Sequence, residues 1–241
     1  MLAVLTAMPR EASSFAKAIK ASPMRGGRGG TGTLISTVGI GAEGAERVVS
    51  ELVGEHGVTE VLALGYAGAA SAGLRPGDLV LGAETCLVSD PAIAETRPDA
   101  ISLDPGLLAR AESALSRSGV RYRIGKIGTA SRVITEPGEK KRLGEGIGVQ
   151  ALDMETYHLA EAVSRYGTPF LAVRAILDPV EARLPDGLDA LYENGRFSAA
   201  RGVAYAVKHP GDTWRLPGLG LKARAADRAL NAFMRSFLFV N

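Results

Sequence analysis

Three carboxylates stand where short apolar runs give way to loops: Glu11 after LAVLTAM, Glu155 after GVQALDM and Asp178 after PFLAVRAIL. In parallel α/β sheets, ligands bind at such strand ends. A carboxylate there can hold a ligand's polar groups or exchange a proton with it. Asp178 suits the second use, because it directly follows an apolar run and directly precedes Pro179, and burial in a crevice raises a carboxyl's affinity for a proton. Protonated, it can donate to a departing base. Taken singly, each acid also fits a solvated or capping role, and only their joint placement points to a site.

Two further side chains lie close in sequence. His158 is one helical turn beyond Glu155 and can reach the same place, although a lone histidine on an apolar helix face is ordinarily a hydrogen-bonded core residue. Arg174, four residues before Asp178 inside the same run, is expected to pair with a buried carboxylate and fix the end of the sheet. No set of residues has metal-ligand spacing, so no metal is expected.

The elements that must position these groups alternate. LAVLTAM (2–8) precedes EASSFAKAIKA, TLISTVGI (33–40) precedes AEGAERVVSELVGEHG, and VTEVLALGYAG (58–68) follows. Further strands are expected at 78–88, near 123–134, at 148–155 and at 169–178, with helices between them. Leu107, Leu108, Ala111, Ala114 and Leu115 recur at helical spacing, as do Leu159, Ala162 and Val163. The pattern predicts an α/β fold with a mixed, mostly parallel central sheet flanked by helices. No linker is long or polar enough to divide residues 1–241, so one domain is expected. Its last part, 222–241, reads as an amphipathic helix with Ala226, Leu230, Phe233 and Phe237 in one stripe and Lys222, Arg224, Arg228 and Arg235 around it. Docking of that stripe on its own domain or on a second subunit is expected, with contact to a membrane surface as the alternative.

Composition narrows the function classes. Of 241 residues, 46% are hydrophobic and 22% charged, and the net charge is +2, so no nucleic-acid surface is indicated. A single cysteine, Cys86, leaves no disulfide framework and fits a cytoplasmic location. No apolar stretch approaches the ~18 residues of a spanning helix. The 30 glycines gather at segment junctions, as tight turns require. The glycine-rich basic stretch 21–32 is expected to be a loop or wide hairpin.

Gly39-Ile40-Gly41-Ala42-Glu43-Gly44 spells G-x-G-x-x-G between a predicted strand and a predicted helix. A dinucleotide site also needs an acid at the end of the next strand to hold ribose hydroxyls. That strand ends in Leu64, Gly65 and Tyr66, with its one acid, Glu60, at the wrong end. A tight strand-to-helix turn is therefore the preferred account, and a dinucleotide-dependent oxidoreductase the lesser alternative.

Five segments taken in order resemble the signatures of the purine and uridine phosphorylase superfamily: Ala7-Met8-Pro9-Arg10-Glu11, Gly39-Ile40-Gly41, Gly65-Tyr66-Ala67-Gly68-Ala69, Met154-Glu155 within ALDMET, and Arg174-Ala175-Ile176-Leu177-Asp178. They look most like its methylthioadenosine/S-adenosylhomocysteine nucleosidases. The tail, with LPDGLDALYENGRFS and HPGDTWRLPGLGLKARAADRAL, resembles the hopanoid-associated phosphorylase branch, which removes adenine from adenosylhopane. The resemblance implies cleavage of a purine N-glycosidic bond in a 5′-substituted adenosine, with water or phosphate as acceptor and without a cofactor. It makes Asp178 the acid that protonates the base, Glu155 the partner of the ribose hydroxyls, Met154 the apolar shelf under the sugar, and Glu11 the group that orients an attacking water. Val133 and Ile134 would read the purine edge through their backbones. Gly65, Tyr66, Ala67 and Gly68 would bring bare backbone to the sugar and nucleophile. It also implies a homo-oligomer.

The departures from the pattern are specific. The arginine that holds phosphate in phosphorolytic relatives, two residues before Gly65, is Ala63 here, and Arg10 and Arg132 are the guanidinium groups left to take its place. Leu177 replaces a serine before the acid, and Tyr66 replaces a small residue. These changes leave a non-catalytic nucleoside-binding protein on the same fold as the second hypothesis.

Overall fold

The apolar runs extend into strands and the amphipathic stretches coil. The computed structural model describes residues 1–6, 32–38, 42–88, 99–184, 192–193, 196–197 and 216–238. Strands β1 (Leu2–Thr6), β2 (Thr33–Thr37), β3 (Glu60–Ala69), β4 (Leu79–Val88), β5 (Ala100–Ser102), β6 (Tyr122–Ala130), β7 (Val149–Asp153) and β8 (Phe170–Asp178) form one sheet. It is covered by α1 (Ala42–Val49), α2 (Pro105–Ser116), α3 (Pro137–Ile147), α4 (Thr156–Ser164) and α5 (Leu216–Leu238). A short ribbon of β9 (Tyr192–Glu193) and β10 (Arg196–Phe197) stands apart from the sheet.

Pairing of β1 with β2, β1 with β3, β3 with β8, β4 with β6 and β6 with β7 is parallel. Antiparallel pairing joins β3 to β7, β4 to β8 and β4 to β5. The expected mixed, mostly parallel sheet is thus present, with one addition. Because β8 pairs with both β3 and β4, the strands β3, β7, β6, β4 and β8 close into a circuit. Hydrophobic periodicity carries no information about which strands meet, so closure was not legible in it.

Alternation along β8 sorts the core into two layers. Phe170, Ala172 and Ile176 pack with α1 and α4, while Leu171, Val173 and Ala175 pack with α2 and α5. β1, β3 and β8 are buried along almost their whole length, which is why their sequences read as nearly continuous apolar runs. The stripe of α5 docks on the chain itself: Ala226, Leu230, Phe233 and Phe237 are buried with Leu107, Ala111 and Val173, and the Arg110 guanidinium lies 4.9 Å from the Phe237 ring centre. With that stripe covered, the membrane alternative loses the surface it was built on. None of the described helices is long and apolar enough to cross a membrane.

Boundaries differ from expectation in three places. The segment 148–155 is strand only to Asp153, and Glu155 already stands at the N-cap of α4. The last helix begins at Leu216, six residues before the expected start. β5 and α3 were not separately expected. The predicted helix EASSFAKAIKA lies outside the described residues.

Candidate active site

The site is organised by the second half of β3, where side chains shrink to Gly65, Ala67 and Gly68. On one side β3 pairs with β8 in a register that sets Gly65 against Arg174 and Gly68 against Asp178. On the other side Gly68 pairs with Leu152 of β7, three residues before Glu155. Asp178 and the turn bearing Met154 and Glu155 therefore flank one stretch of bare backbone. A Cβ on Gly65 would stand 2.6 Å from Nη1 of Arg174, and a Cβ on Gly68 would stand 3.3 Å from both carboxyl oxygens of Asp178. Glycine at these positions gives the two side chains their room.

Arg174 behaves as expected, and the carboxylate it meets is Asp153. Its Nε donates to Asp153 Oδ2 at 2.5 Å, and Nη2 donates to Thr156 Oγ1 at 2.8 Å. Asp153 Oδ1 also accepts from Thr129 Oγ1 at 2.8 Å and from the Thr156 amide at 3.2 Å. The hydroxyl of Thr156 donates to Oδ2. All of these residues are buried, and the network ties the ends of β6 and β7 and the middle of β8 to the start of α4.

Asp178 is 3% exposed, and its partner is Lys140 on α3, 1% exposed. The ammonium donates to Asp178 Oδ2 and, at 2.8 Å, to the carbonyl of Ala182. Among the described residues no group donates to Oδ1. Burial pushes the Asp178 carboxyl above its ordinary range, opposed by the Lys140 charge and hydrogen bond and then by the charge of Lys222. A carboxyl in this state is suited to giving up a proton: one oxygen is anchored, and the other receives no donor among the described residues.

Glu155 is buried and makes no side-chain bond to its helix end, and Met154 beside it is half-buried. Ile134 packs its side chain with Ala70, Ala130, Leu143 and Leu152; Val133 is half-buried. Ala67 is buried on the α4 side of the sheet. Tyr66 turns the other way, packing in the α5 layer, where its hydroxyl donates to Asp227. The Tyr66 ring, where the resemblance expects a small residue, therefore belongs to the α5 side. Leu177 packs in that same layer.

Arg132 is exposed and held by Glu139 at 2.7 Å. Ala63 is fully buried in the sheet, and its methyl offers no charge to an anion. His158 is half-buried, edge-on to Tyr157 at 6.0 Å between ring centres. Glu60 pairs with Arg110 at 2.7 Å. A Cβ on Gly44 would meet the Val38 carbonyl at 2.5 Å, so close packing of helix on strand accounts for that glycine. Glu11, Arg10, Gly39 and Gly41 lie outside the described residues. A separate cleft of about 350 Å³ opens at the opposite end of β8, around Asp104, Ser164 and Phe170, where the Asp104 carboxylate caps α2 through the Leu107 amide.

Sequence reasoning missed Lys140, Asp153, Thr129 and Thr156. A signal for Lys140 was present: it precedes Leu143, Gly144 and Ile147 by three, four and seven residues, the spacing of one helix face. Lys140 and Leu143 are both buried, and a Cβ on Gly144 would stand 2.0 Å from the Ala70 carbonyl. A lysine heading an inward face needs a buried partner.

Comparison with known proteins agrees with this architecture. The family profile described as the phosphorylase superfamily matches residues 1–205. A DeoD-type purine nucleoside phosphorylase of Bacillus cytotoxicus is 27% identical over 168 residues, covering 65% of this chain and 70% of the relative. For a second DeoD-type enzyme, from Vibrio cholerae, the figures are 24% over 147 residues, 59% and 60%. Among solved structures, a futalosine hydrolase of Helicobacter pylori superposes with a TM-score of 0.70 at 16% identity, covering 97% of both chains. A 5′-methylthioadenosine/S-adenosyl homocysteine nucleosidase of Campylobacter jejuni gives 0.67 at 20% identity, covering 78% of this chain and 90% of its own. At these identities the two structures speak for the fold, while the profile spans most of the sequence: the chain belongs to the phosphorylase superfamily.

Proposed function

We propose that the protein cleaves the N-glycosidic bond of a 5′-substituted adenine nucleoside and releases adenine. The observation that carries this is the Asp178 carboxyl, buried and anchored through Oδ2, with no donor to Oδ1 among the described residues, on the strand that shares β3 with the Glu155 turn. As the bond breaks, positive charge develops on the ribosyl ring and electrons gather on the base. Asp178 gives its proton to the base nitrogen, and the sugar carbon is taken by water or phosphate. Glu155 holds the ribose hydroxyls, and Met154 lies under the ring. Val133 and Ile134 meet the purine edge through their backbones, and the backbone of Gly65 to Gly68 approaches the sugar and the acceptor. Glu11 orients water in the hydrolytic case, while Arg10 or Arg132 meets phosphate in the phosphorolytic one. Kinship with DeoD-type phosphorylases supports the phosphorolytic route, and the nucleosidase-like fold supports the hydrolytic one. Resemblance of the tail to the hopanoid-associated branch supports adenosylhopane as the substrate. A homo-oligomer is the assembly we expect.

Purified protein is incubated with 5′-methylthioadenosine and with long-chain 5′-alkyl adenosines, with and without phosphate, and free adenine is measured. Release is expected, and its phosphate dependence identifies the acceptor. Asp178→Asn is expected to abolish release while retaining nucleoside binding. No release under any condition, with binding intact, would replace catalysis by a binding role.

A further inference from the structure

We propose that Lys140 is the positioning residue of the acid: its ammonium pins Oδ2 of Asp178 so that Oδ1 faces the nucleobase, and it meets the carboxylate left when the proton has gone. This inference rests on the assignment of Asp178 as the acid and adds a group to that site.

The geometry is unusual for a structural pair. Lys140 is 1% exposed, and the lysine and aspartate side chains are both taken almost wholly out of water. An apolar pair of the same volume would serve stability as well or better, so burying an ammonium against a carboxylate calls for another reason. The surroundings favour a chemical one. α3 is set close to the sheet by Gly144 against Ala70, and this brings Lys140, one turn earlier, to the end of β8. The carbonyl of Ala182 fixes the ammonium from the chain beyond β8. Every element around the carboxyl leaves Lys140 in command. β3 presents Gly68, without charge; Arg174 on β8 is neutralised by Asp153; Arg183 beyond β8 pairs with Glu136 at the start of α3 at 2.7 Å. Among the described residues the other cation acting on Asp178 is Lys222 of α5, whose influence is the smaller.

The proton balance follows. Before reaction the carboxyl carries the proton on Oδ1. When the C–N bond breaks, its electron pair goes to the purine, the Oδ1 proton goes to the purine nitrogen, and a carboxylate remains with Oδ2 on the Lys140 ammonium. A cation that favours this carboxylate makes Asp178 a stronger acid in the transition state. Without it, the carboxyl holds its proton more tightly and loses its orientation.

The test is the pH dependence of adenine release from 5′-methylthioadenosine by wild type, Lys140→Met, Lys222→Met and Asp178→Asn, with phosphate supplied if wild type needs it. Activity falls as pH rises through the Asp178 titration. In Lys140→Met that alkaline limb is expected to move up by about one pH unit, with kcat lowered about tenfold or more and KM changed far less. Lys222→Met is expected to move the limb less. An inactive Asp178→Asn alongside a Lys140→Met with wild-type limb and kcat would overturn the role of Lys140 and leave the acid in place. An Asp178→Asn enzyme with wild-type activity would overturn the acid itself. Wild-type protein gives a reading that does not depend on a variant folding. Nitrogen-15 NMR of the Lys140 side chain is expected to show an ammonium, protected from exchange and correlated with the Asp178 carboxyl. A neutral amine there would overturn the proposal.

Discussion

Two buried ion pairs hang from the same face of β8, four residues apart, each beside a glycine of β3. Arg174–Asp153 is saturated: hydroxyls of Thr129 and Thr156 and an amide of α4 take up the carboxylate's remaining lone pairs. Lys140–Asp178 is not, since one carboxyl oxygen receives no donor among the described residues. Low dielectric makes the first arrangement rigid and the second reactive. What separates scaffold from chemistry here is how completely the hydrogen-bonding capacity is used, because burial is nearly the same.

Breaking the saturated pair is expected to have the largest effect on stability. Arg174→Met leaves Asp153 uncompensated and is expected to lower unfolding free energy by about 3–5 kcal/mol, read as a fall in the denaturation midpoint. The glycines sharpen the contrast. Gly65→Ala drives a methyl into the Arg174 guanidinium and is expected to destabilise by about 1–3 kcal/mol. Gly68→Ala meets only ordinary or slightly tight contacts and is expected to lower kcat for adenine release with little change in midpoint.

The open pair is expected to show itself through pH. The folded protein raises the Asp178 carboxyl above its ordinary 3.8, so the folded state binds this proton more readily than the unfolded chain. Its contribution to stability is complete below 3.8 and is lost as pH climbs through the raised value. Relative to Asp178→Asn, the wild type should therefore lose stability over that interval, measured as the difference in denaturation midpoints on a pH series. The smallest effect belongs to the α5 layer: Tyr66→Phe removes the bond to Asp227 and is expected to lower stability by about 1 kcal/mol.

Legibility in the sequence divides along a similar line. β1, β3, β4 and β8 were visible because their apolar runs are long and largely buried, whereas β6, partly exposed over its first half, was placed only approximately and the short β5 was missed. Arg174 was recognised as needing a buried carboxylate because a guanidinium inside such a run has no other stable state. That the carboxylate is Asp153 depends on how β7 and β8 meet across β3, a long-range fact. Lys140 was overlooked for a local reason: in GEKKRL it stands among charged residues, and only the inward face shared with Leu143 and Gly144 distinguishes it from Lys141. Tyr66 was read together with the bare backbone of Gly65, Ala67 and Gly68, and strand alternation sends its ring to the α5 layer.

Closure of the sheet by β8 has a consequence for endurance. A strand bonded along both flanks cannot peel from an edge, so local fraying, which loosens termini and rim strands first, spares this one until the circuit itself is breached. The residue assigned the chemical step thus rides on a segment whose separation requires cooperative loss of both neighbours. Loosening elsewhere on the molecule can proceed while its aim is preserved.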